Sequence, residues 1–196
     1  MLTVLRPAIV STILFTLLLG IAYPLAVTGL GQALFPWQAS GSLVRSGGQV
    51  VGSALLGQNF ARPEYLRPRP SAAGTDGYDA SASSGSNLGP LNPDLIKRES
   101  DTAKALAADR PGAPIPADAL TTSASGLDPH ITPEYAAFQV ERLARARGVK
   151  PGQIQAVIAA NTQGRTLGIL GQPRVNVLKV NLALDARYPV RHAPAA

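Results

Sequence analysis

Residues 7–44 of the chain read PAIVSTILFTLLLGIAYPLAVTGLGQALFPWQASGSLV and contain no charged side chain. Within this stretch, residues 8–34 are almost entirely aliphatic, small or hydroxyl-bearing. About twenty such residues in a helix span the hydrocarbon core of a bilayer, which is roughly 30 Å thick. The stretch therefore predicts one transmembrane helix, in an anchor of residues 1–40, and the rest of the chain lies on one side of the membrane.

A cleaved signal peptide is the alternative interpretation of the same stretch. Residues 1–6 could supply its positively charged start, and residues 9–22 its apolar region. However, no small-x-small cleavage site follows Ala22, and Tyr23-Pro24-Leu25 continues the apolar run. The sequence thus favours an anchor that is retained.

Local features predict the shape and direction of this helix. Pro24 lacks a backbone donor and its ring crowds the preceding turn, so we expect a bend there. Phe35-Pro36-Trp37 is typical of an exit into the headgroup region. Because short positive flanks such as the one with Arg6 stay in the cytoplasm, the N-terminus is predicted to be cytoplasmic and the following domain extracytoplasmic.

Residues 41–185 are predicted to form one soluble domain, and residues 186–196 a flexible tail. There are no cysteines, so neither a disulfide framework nor a thiolate site is available. The net charge of +6 could suggest nucleic acid as a partner, but the basic residues are scattered and aromatic residues make up only 5%. Without a basic run or a stacking platform, the charge indicates a solvated basic surface and no nucleic-acid partner.

The first part of this domain combines a hairpin with an irregular segment. Residues 42–45 and 49–53 have strand-like composition and flank Ser46-Gly47-Gly48, where glycine permits a tight turn. Residues 57–93 are rich in Gly, Ser, Pro, Ala and Asn, which is typical of a flexible linker. Because aromatic and leucine residues recur along residues 57–93, we expect an ordered but irregular segment pinned to a core.

Helix signals dominate the remainder, so the predicted fold class is α+β. Asn92-Pro93 and Thr132-Pro133 each combine an N-cap residue with proline at the first helical position. The predicted elements are helices from Pro93 to Pro111, from Pro133 to Gly148 and over 151–161 with Gly164 beyond, and a short strand over 166–170. Residues 175–184 fit either a strand, by alternation, or a helix capped by Asn176.

One cluster contains every residue type of a hydrolytic triad: Ser123, Ser125, Asp128 and His130. A triad usually draws its members from separate elements and exposes the nucleophile on a sharp turn. Here the residues are too close in sequence, and Asp128-Pro129 precedes a helix cap. A local turn held by side-chain hydrogen bonds is the favoured interpretation, and a membrane-anchored hydrolase the alternative.

Motifs for a cofactor are missing from the sequence. With two histidines and no cysteine, a metal site has few ligands to draw on. The phosphate-loop pattern G-x-x-x-x-G-K-[ST] does not occur. We therefore expect no cofactor and no metal bound by this chain.

An ordered set of short motifs runs through nearly the whole chain. In chain order they are Arg6-Pro7, Tyr23-Pro24-Leu25, Phe35-Pro36, Gly41-Ser42-Leu43, Gly57-Gln58-x-Phe60, Arg69-Pro70-Ser71, residues 84–90 (SGSNLGP), residues 125–131 (SGLDPHI), Gln139-x-x-Arg142, residues 170–178 (LGQPRVNVL) and residues 181–185 (NLALD). Each is weak alone, but the ordered set is specific. It resembles the C subunit of the potassium-transporting Kdp ATPase, a bacterial P-type pump complex. Leu143 stands where that family often has valine, and residues 186–196 match nothing in it.

The resemblance implies a non-catalytic subunit that stabilises and assembles the complex in the bacterial inner membrane. It implies three partners besides the lipid bilayer: a channel-like potassium-binding subunit, a P-type ATPase subunit and a small membrane subunit. The complex as a whole would use ATP, Mg and potassium. The resemblance also gives Gln139 and Arg142 a role in helping ATP to bind. The predicted topology opposes that role, because an outside domain cannot meet cytoplasmic nucleotide, and a helix face that docks on the domain or on a partner is the favoured interpretation.

Overall fold

The computed structural model describes residues 2–190, with the side chain of residue 2 left out. These residues divide into two compact units, one ending at Leu43 and the other beginning at Val44. Of the predicted tail, residues 186 and 187 complete the last helix, and residues 191–196 lie outside the described part of the chain.

The first unit is helical from Leu2 to Ala39, except at Phe35. It comprises α1 (Leu2–Leu17), a π-helical turn (Leu18–Ala22), α2 (Tyr23–Leu34) and the short α3 (Pro36–Ala39). The run Thr3–Leu34 is the one candidate among the described residues that is long and apolar enough to cross a membrane. Its 32 residues correspond to roughly 48 Å of helix, more than a hydrocarbon core requires.

A π-helical turn directly precedes Pro24, where the sequence predicted a bend. Pro24 offers no N–H, and its ring would crowd the carbonyl one turn back, at Gly20. The chain widens there, and the N–H of Tyr23 donates to the carbonyl of Leu18, five residues earlier. The helix ends at Phe35, and the indole N–H of Trp37 donates to the carbonyl of Leu43 at 3.0 Å.

A two-stranded hairpin follows, as the sequence predicted. It consists of β1 (Leu43–Ser46) and β2 (Gln49–Ser53). Gly47 and Gly48 connect them with φ of 56° and 82°. Positive φ at both central residues is the requirement of a type I′ turn, which glycine meets without steric cost.

The second sheet has three short antiparallel strands in the order β3-β5-β4. They are β3 (His130–Ile131), β4 (Thr162–Gln163) and β5 (Arg174–Asn176). In the central strand, Val175 lies opposite Ile131 on one side and Thr162 on the other. The second unit thus combines strands with helices, and the α+β fold class is confirmed.

The helices of this unit are α4 (Pro93–Asp109), α5 (Pro133–Phe138), α6 (Val140–Arg147), α7 (Pro151–Ala160) and α8 (Val177–Arg187). The predicted caps are present: the side chains of Asn92 and Thr132 accept hydrogen bonds from backbone N–H groups in the first turns of α4 and α5. Gly148 adopts φ 65° at the end of α6. The buried apolar side chains of α5 to α8 form the core, together with Leu66, Leu106, Ile131 and Val175.

Three predicted elements differ from the structure. The helix predicted from Pro133 to Gly148 is interrupted at Gln139, whose side chain is committed to a distant backbone segment described below. The strand predicted over 166–170 is a tight turn, because Leu167 and Gly168 have φ of 54° and 79°. The ambiguous residues 175–184 are divided between the two alternatives: β5 ends at Asn176, which caps α8. By contrast, the helix predicted over 151–161 agrees with α7, which ends at Ala160 with Asn161 as its C-cap.

Residues 57–92 contain neither helix nor strand, yet they are ordered against the core. Leu66 and Ala73 are fully buried. Side chains from this stretch bond to distant backbone, as where the hydroxyl of Ser71 donates to the carbonyl of Gly126 at 2.6 Å. The expectation of an ordered irregular segment is confirmed.

Candidate functional site

A dense set of side-chain hydrogen bonds surrounds residues 63–67, which we call the 63–67 segment. These residues read PEYLR and belong to no strand. Leu66 is fully buried at their centre. Buried backbone N–H and C=O groups must find partners, and without a neighbouring strand they must find them in side chains.

Two primary amides supply the partners that a neighbouring strand would otherwise give. Asn181, on α8, accepts from the N–H of Leu66 at 2.7 Å and donates to its carbonyl at 3.0 Å. Gln139, between α5 and α6, does the same for Arg67, at 2.8 and 3.0 Å. Because Asn181 and Gln139 are only 1% and 3% exposed, water cannot replace these bonds. Gln139 lies at the interruption between α5 and α6, and its side-chain amide reaches the backbone of Arg67 there.

Two guanidinium groups of α6 satisfy the carbonyls of the same segment. Arg142 donates to the carbonyls of Pro63 and Tyr65 and to the side-chain oxygen of Gln139. Arg147 donates to the carbonyl of Glu64 at 2.8 Å. Their planar forks suit this task, since each can reach several acceptors at once.

Carboxylates balance the two buried cations. Asp109, the last residue of α4, lies 3.3 Å from Nη1 of Arg67 and 3.6 Å from Nε of Arg142. Burial and the nearby charge of Arg67 lower the pKa of Arg142 to about 10, so its guanidinium is still charged at neutral pH. Asp185 lies 2.9 Å from Arg147.

Tyr65 extends this network to α8. Its hydroxyl donates to Oδ2 of Asp185 at 3.2 Å, and the guanidinium carbon of Arg147 lies 5.4 Å from its ring centre. Burial and the charge of Asp185 both raise the pKa of Tyr65. The tyrosine therefore stays neutral as a donor and joins the 63–67 segment to the last helix.

The structure thus places Gln139 and Arg142 next to each other, as their spacing predicted. Their polar groups point to the backbone of the 63–67 segment, and both side chains are buried. The geometry fits the interpretation of a helix face that docks on its own domain. A nucleotide would have to displace hydrogen bonds that the fold itself uses.

The second candidate cluster is a turn that contains Ser125, Asp128 and His130. The hydroxyl of Ser125 accepts from the N–H of Leu127 at 3.1 Å, and Oδ1 of Asp128 accepts from the N–H of His130 at 2.9 Å. Ser123 lies 3.4 Å from Ser125, hydroxyl to hydroxyl. These are the side-chain-to-backbone bonds that Ser and Asp make in local turns.

The side chains of this turn are not arranged as the hydrogen-bonded chain of a catalytic triad. Nδ1 of His130 is 3.5 Å from Oδ1 of Asp128, and no hydrogen bond joins His130 to Ser125 among the described residues. The two also open onto different clefts: Ser125 lines one of about 740 Å³, and His130 another of about 300 Å³. A nucleophile and its base must share one site, so the arrangement favours a structural turn.

Asp128 stabilises this turn through its charge. Burial alone would raise the pKa of Asp128, but hydrogen bonds from His130 and the charge of Arg69, 3.4 Å away, outweigh it and lower the pKa. When folding lowers the pKa of a carboxylate, its charged form stabilises the folded state at pH values above the unfolded-state pKa of about 3.9. That stability is lost as the pH falls through the folded-state pKa.

We expect Asp128→Asn to lower the free energy of unfolding by about 1 kcal/mol at neutral pH. The difference from the unsubstituted chain should begin to shrink as the pH falls below about 4, and should reach zero only below the lowered folded-state pKa, where both side chains are neutral. Urea unfolding of the full chain in detergent, repeated between pH 3 and pH 7, measures it. Asp76→Asn, at an exposed carboxylate, is the control. A difference that persists unchanged at acid pH would contradict the electrostatic role.

Sequence reasoning missed Asn181, Arg147 and Asn176 as buried polar residues. Asn176, besides capping α8, donates to the carbonyl of Ala54 at 2.9 Å. One signal could have found the asparagines, since each interrupts a run of apolar residues between 175 and 184. Their partners lie more than a hundred residues earlier and could not be read from local sequence. Among the described residues, no group of three His, Cys, Asp or Glu is placed to hold a metal ion.

Comparison with known proteins gives a consistent result over nearly the whole chain. The family model described as "K+-transporting ATPase, c chain" matches residues 5–186. A "Potassium-transporting ATPase KdpC subunit" from Caulobacter sp. (strain K31) is 66% identical over 190 residues, which cover 96% of each chain. Proteins of the same description from Beijerinckia indica and Variovorax paradoxus are 60% and 54% identical, and the matches cover 99% and 96% of this chain and 99% and 98% of theirs.

Proposed function

The chain belongs to the KdpC family, the c chains of potassium-transporting ATPases, and we propose that it serves there as a non-catalytic subunit that assembles and stabilises the complex. The observation that carries the proposal is the commitment of the Gln139 and Arg142 side chains to the 63–67 segment. These two side chains, which could bind a polar ligand, instead hold the fold of the chain itself. ATP hydrolysis, Mg binding and potassium selection then belong to other subunits.

The anchor supports a role in assembly. Between transmembrane helices, association depends on close packing at small residues and on hydrogen bonds, because lipid is as apolar as the helices themselves. A side chain at Gly29 would meet nothing within 4 Å, and one at Gly20 only the methyl group of Thr16 at 4.0 Å. These glycines thus leave open surface on which a neighbouring helix could pack closely. We propose the channel-like potassium-binding subunit, the P-type ATPase subunit and the small membrane subunit as the partners, within the lipid bilayer.

We place the chain in the bacterial inner membrane as a single-pass protein, with a cytoplasmic N-terminus and an extracytoplasmic domain. The support is the short flank with Arg6 before the apolar run. Since the chain has no cysteine, Leu91→Cys, at a site 88% exposed, gives a clean reporter of topology. A membrane-impermeant maleimide should label it in intact spheroplasts. Labelling only after the membrane is opened would reverse the topology.

Co-purification tests the assembly role. The ATP-hydrolysing subunit carries an affinity tag, and the complex is solubilised from membranes with and without this chain. We expect the chain to co-purify at a fixed ratio, and its deletion to reduce recovery of the assembled, potassium-stimulated ATPase. A complex that forms in full yield without it would overturn the proposal.

The hydrolase alternative predicts a different result for one substitution. If Ser125 only closes a turn, Ser125→Ala removes its hydrogen bond from the N–H of Leu127 and its contact with Ser123, each worth about 1 kcal/mol, and ATPase turnover of the assembled complex should stay within a few-fold. A fall on the order of a thousandfold with the complex intact would identify Ser125 as a nucleophile.

A further inference from the structure

An exposed apolar tip lies between β4 and β5, in residues 165–172, which we call the 165–172 loop. Leu167 is 84% exposed, Ile169 74% and Leu170 56%. Residues 164–174 are exposed throughout. Single exposed aliphatic residues are common, but three within four positions of one turn form a patch that typically marks an interaction site.

The loop is held in one shape by its backbone. Thr166 and Leu170 exchange N–H to C=O bonds, each of 2.9 Å, and Gly168 donates to the carbonyl of Arg165 at 3.1 Å. The side chains of Arg165 and Gln172 close its base at 3.0 Å. Leu167 itself adopts φ 54°, a region that costs energy for leucine. An unconstrained loop would relax out of this backbone conformation. The hydrogen bonds of the loop therefore hold Leu167 in place, with its side chain exposed.

The charged residues near the tip in sequence are all basic. Arg165 and Arg174 flank it, both exposed, and no Asp or Glu occurs from residue 161 to residue 184. A complementary surface would therefore offer an apolar pocket rimmed by carboxylates.

Two other occupants fit less well. A second copy packed through the same tip would bring Arg165 and Arg174 against their own equivalents, because a two-fold contact pairs each patch with itself. At the headgroup level of a membrane, Trp and Tyr are the enriched residues. The 165–172 loop has no aromatic residue.

We propose that the 165–172 loop is a docking tip that inserts Leu167, Ile169 and Leu170 into an apolar, carboxylate-rimmed pocket on another subunit of the same ATPase. This inference rests on the proposed function, since it requires the chain to be an assembled subunit. It adds the surface of the domain through which assembly occurs, separately from the anchor.

Cysteine accessibility tests the contact in the intact complex. Leu167→Cys is labelled with a maleimide in the chain reconstituted alone and in the purified complex, with Leu91→Cys as the matched exposed control. We expect the rate at Leu167→Cys to fall at least tenfold on assembly and the rate at Leu91→Cys to stay unchanged. Equal rates in a complex that contains the chain would overturn the docking tip and leave the proposed function standing. Failure of the chain to enter the complex would overturn both.

A lipid contact gives a separate signature. A fluorophore on Leu167→Cys in the chain reconstituted alone should show no quenching by spin-labelled lipids beyond that seen at Leu91→Cys. Strong quenching there would identify the bilayer as the occupant and overturn the proposal.

Substitution at the tip measures its contribution. Leu167→Asn with Ile169→Asn removes the apolar groups, and asparagine tolerates the left-handed backbone at position 167, so the loop keeps its shape. We expect the variant to dissociate from the complex in detergent at least tenfold faster than Leu91→Asn. Arg165→Glu should also weaken retention. Retention equal to that of Leu91→Asn for both variants would overturn the proposal.

Discussion

Asn181→Leu is expected to lower the free energy of unfolding of the domain by about 2–6 kcal/mol, one of the two largest effects we predict. Leucine has a similar volume, so the change leaves little cavity. It does remove the partners of both the N–H and the carbonyl of Leu66, which lie in the interior. Each buried group left without a partner costs about 1–3 kcal/mol.

Urea unfolding of the full chain in detergent, followed by circular dichroism, measures this effect. Asn59→Leu, at an exposed asparagine, is the control and should change stability by less than about 0.5 kcal/mol. If the two variants unfold at the same urea concentration, water must reach the 63–67 segment and the amide of Asn181 does not hold it.

Local sequence signals were sufficient to predict those features of the fold whose physical cause is local. The Gly47-Gly48 turn follows from the φ angles that only glycine adopts cheaply. The starts of α4 and α5 follow from an N-cap residue and a proline, whose partners lie within three residues. The same holds for the bonds within the Ser125 to His130 turn.

Non-local causes were not readable from the sequence. The amide of Gln139 bonds to the backbone of Arg67, 72 residues earlier, and the buried amide of Asn181 bonds to that of Leu66, 115 residues earlier. The spacing of Gln139 and Arg142 correctly predicted that their side chains lie next to each other, but not which groups they contact. The strand predicted over 166–170 failed for a related reason: β propensity reports a side chain that packs on a sheet, and these aliphatic residues are exposed.

The contacts of the 63–67 segment explain why the Gln139-x-x-Arg142 motif could suggest two functions, nucleotide binding and docking on its own domain. A glutamine and an arginine three residues apart, with Arg67 and Asp109 beside them, have the composition of a polar binding site. In this fold the bound group is the protein's own backbone. A substitution that separates folding from nucleotide binding therefore distinguishes the two functions, and Arg142 offers it.

Arg142→Leu is expected to lower the free energy of unfolding by about 3–5 kcal/mol, the usual cost of removing one partner from a buried charged network. The carbonyls of Pro63 and Tyr65 lose their donors, and Asp109 loses one of its two cations. Arg142→Lys should have an intermediate effect, because one ammonium group cannot reach both carbonyls and Gln139. Urea unfolding of the full chain in detergent measures these changes.

The matched control is Arg145→Leu, on the exposed face of the same helix, which should change stability by less than about 1 kcal/mol. In complexes assembled with Arg142→Lys, the KM for ATP should equal that of the unsubstituted complex, because the residue acts on its own domain. A nucleotide role predicts the reverse pattern, in which Arg142→Leu leaves the unfolding curve unchanged and Arg142→Lys raises the KM for ATP severalfold. That result would assign Gln139 and Arg142 the role in ATP binding that the family resemblance implies.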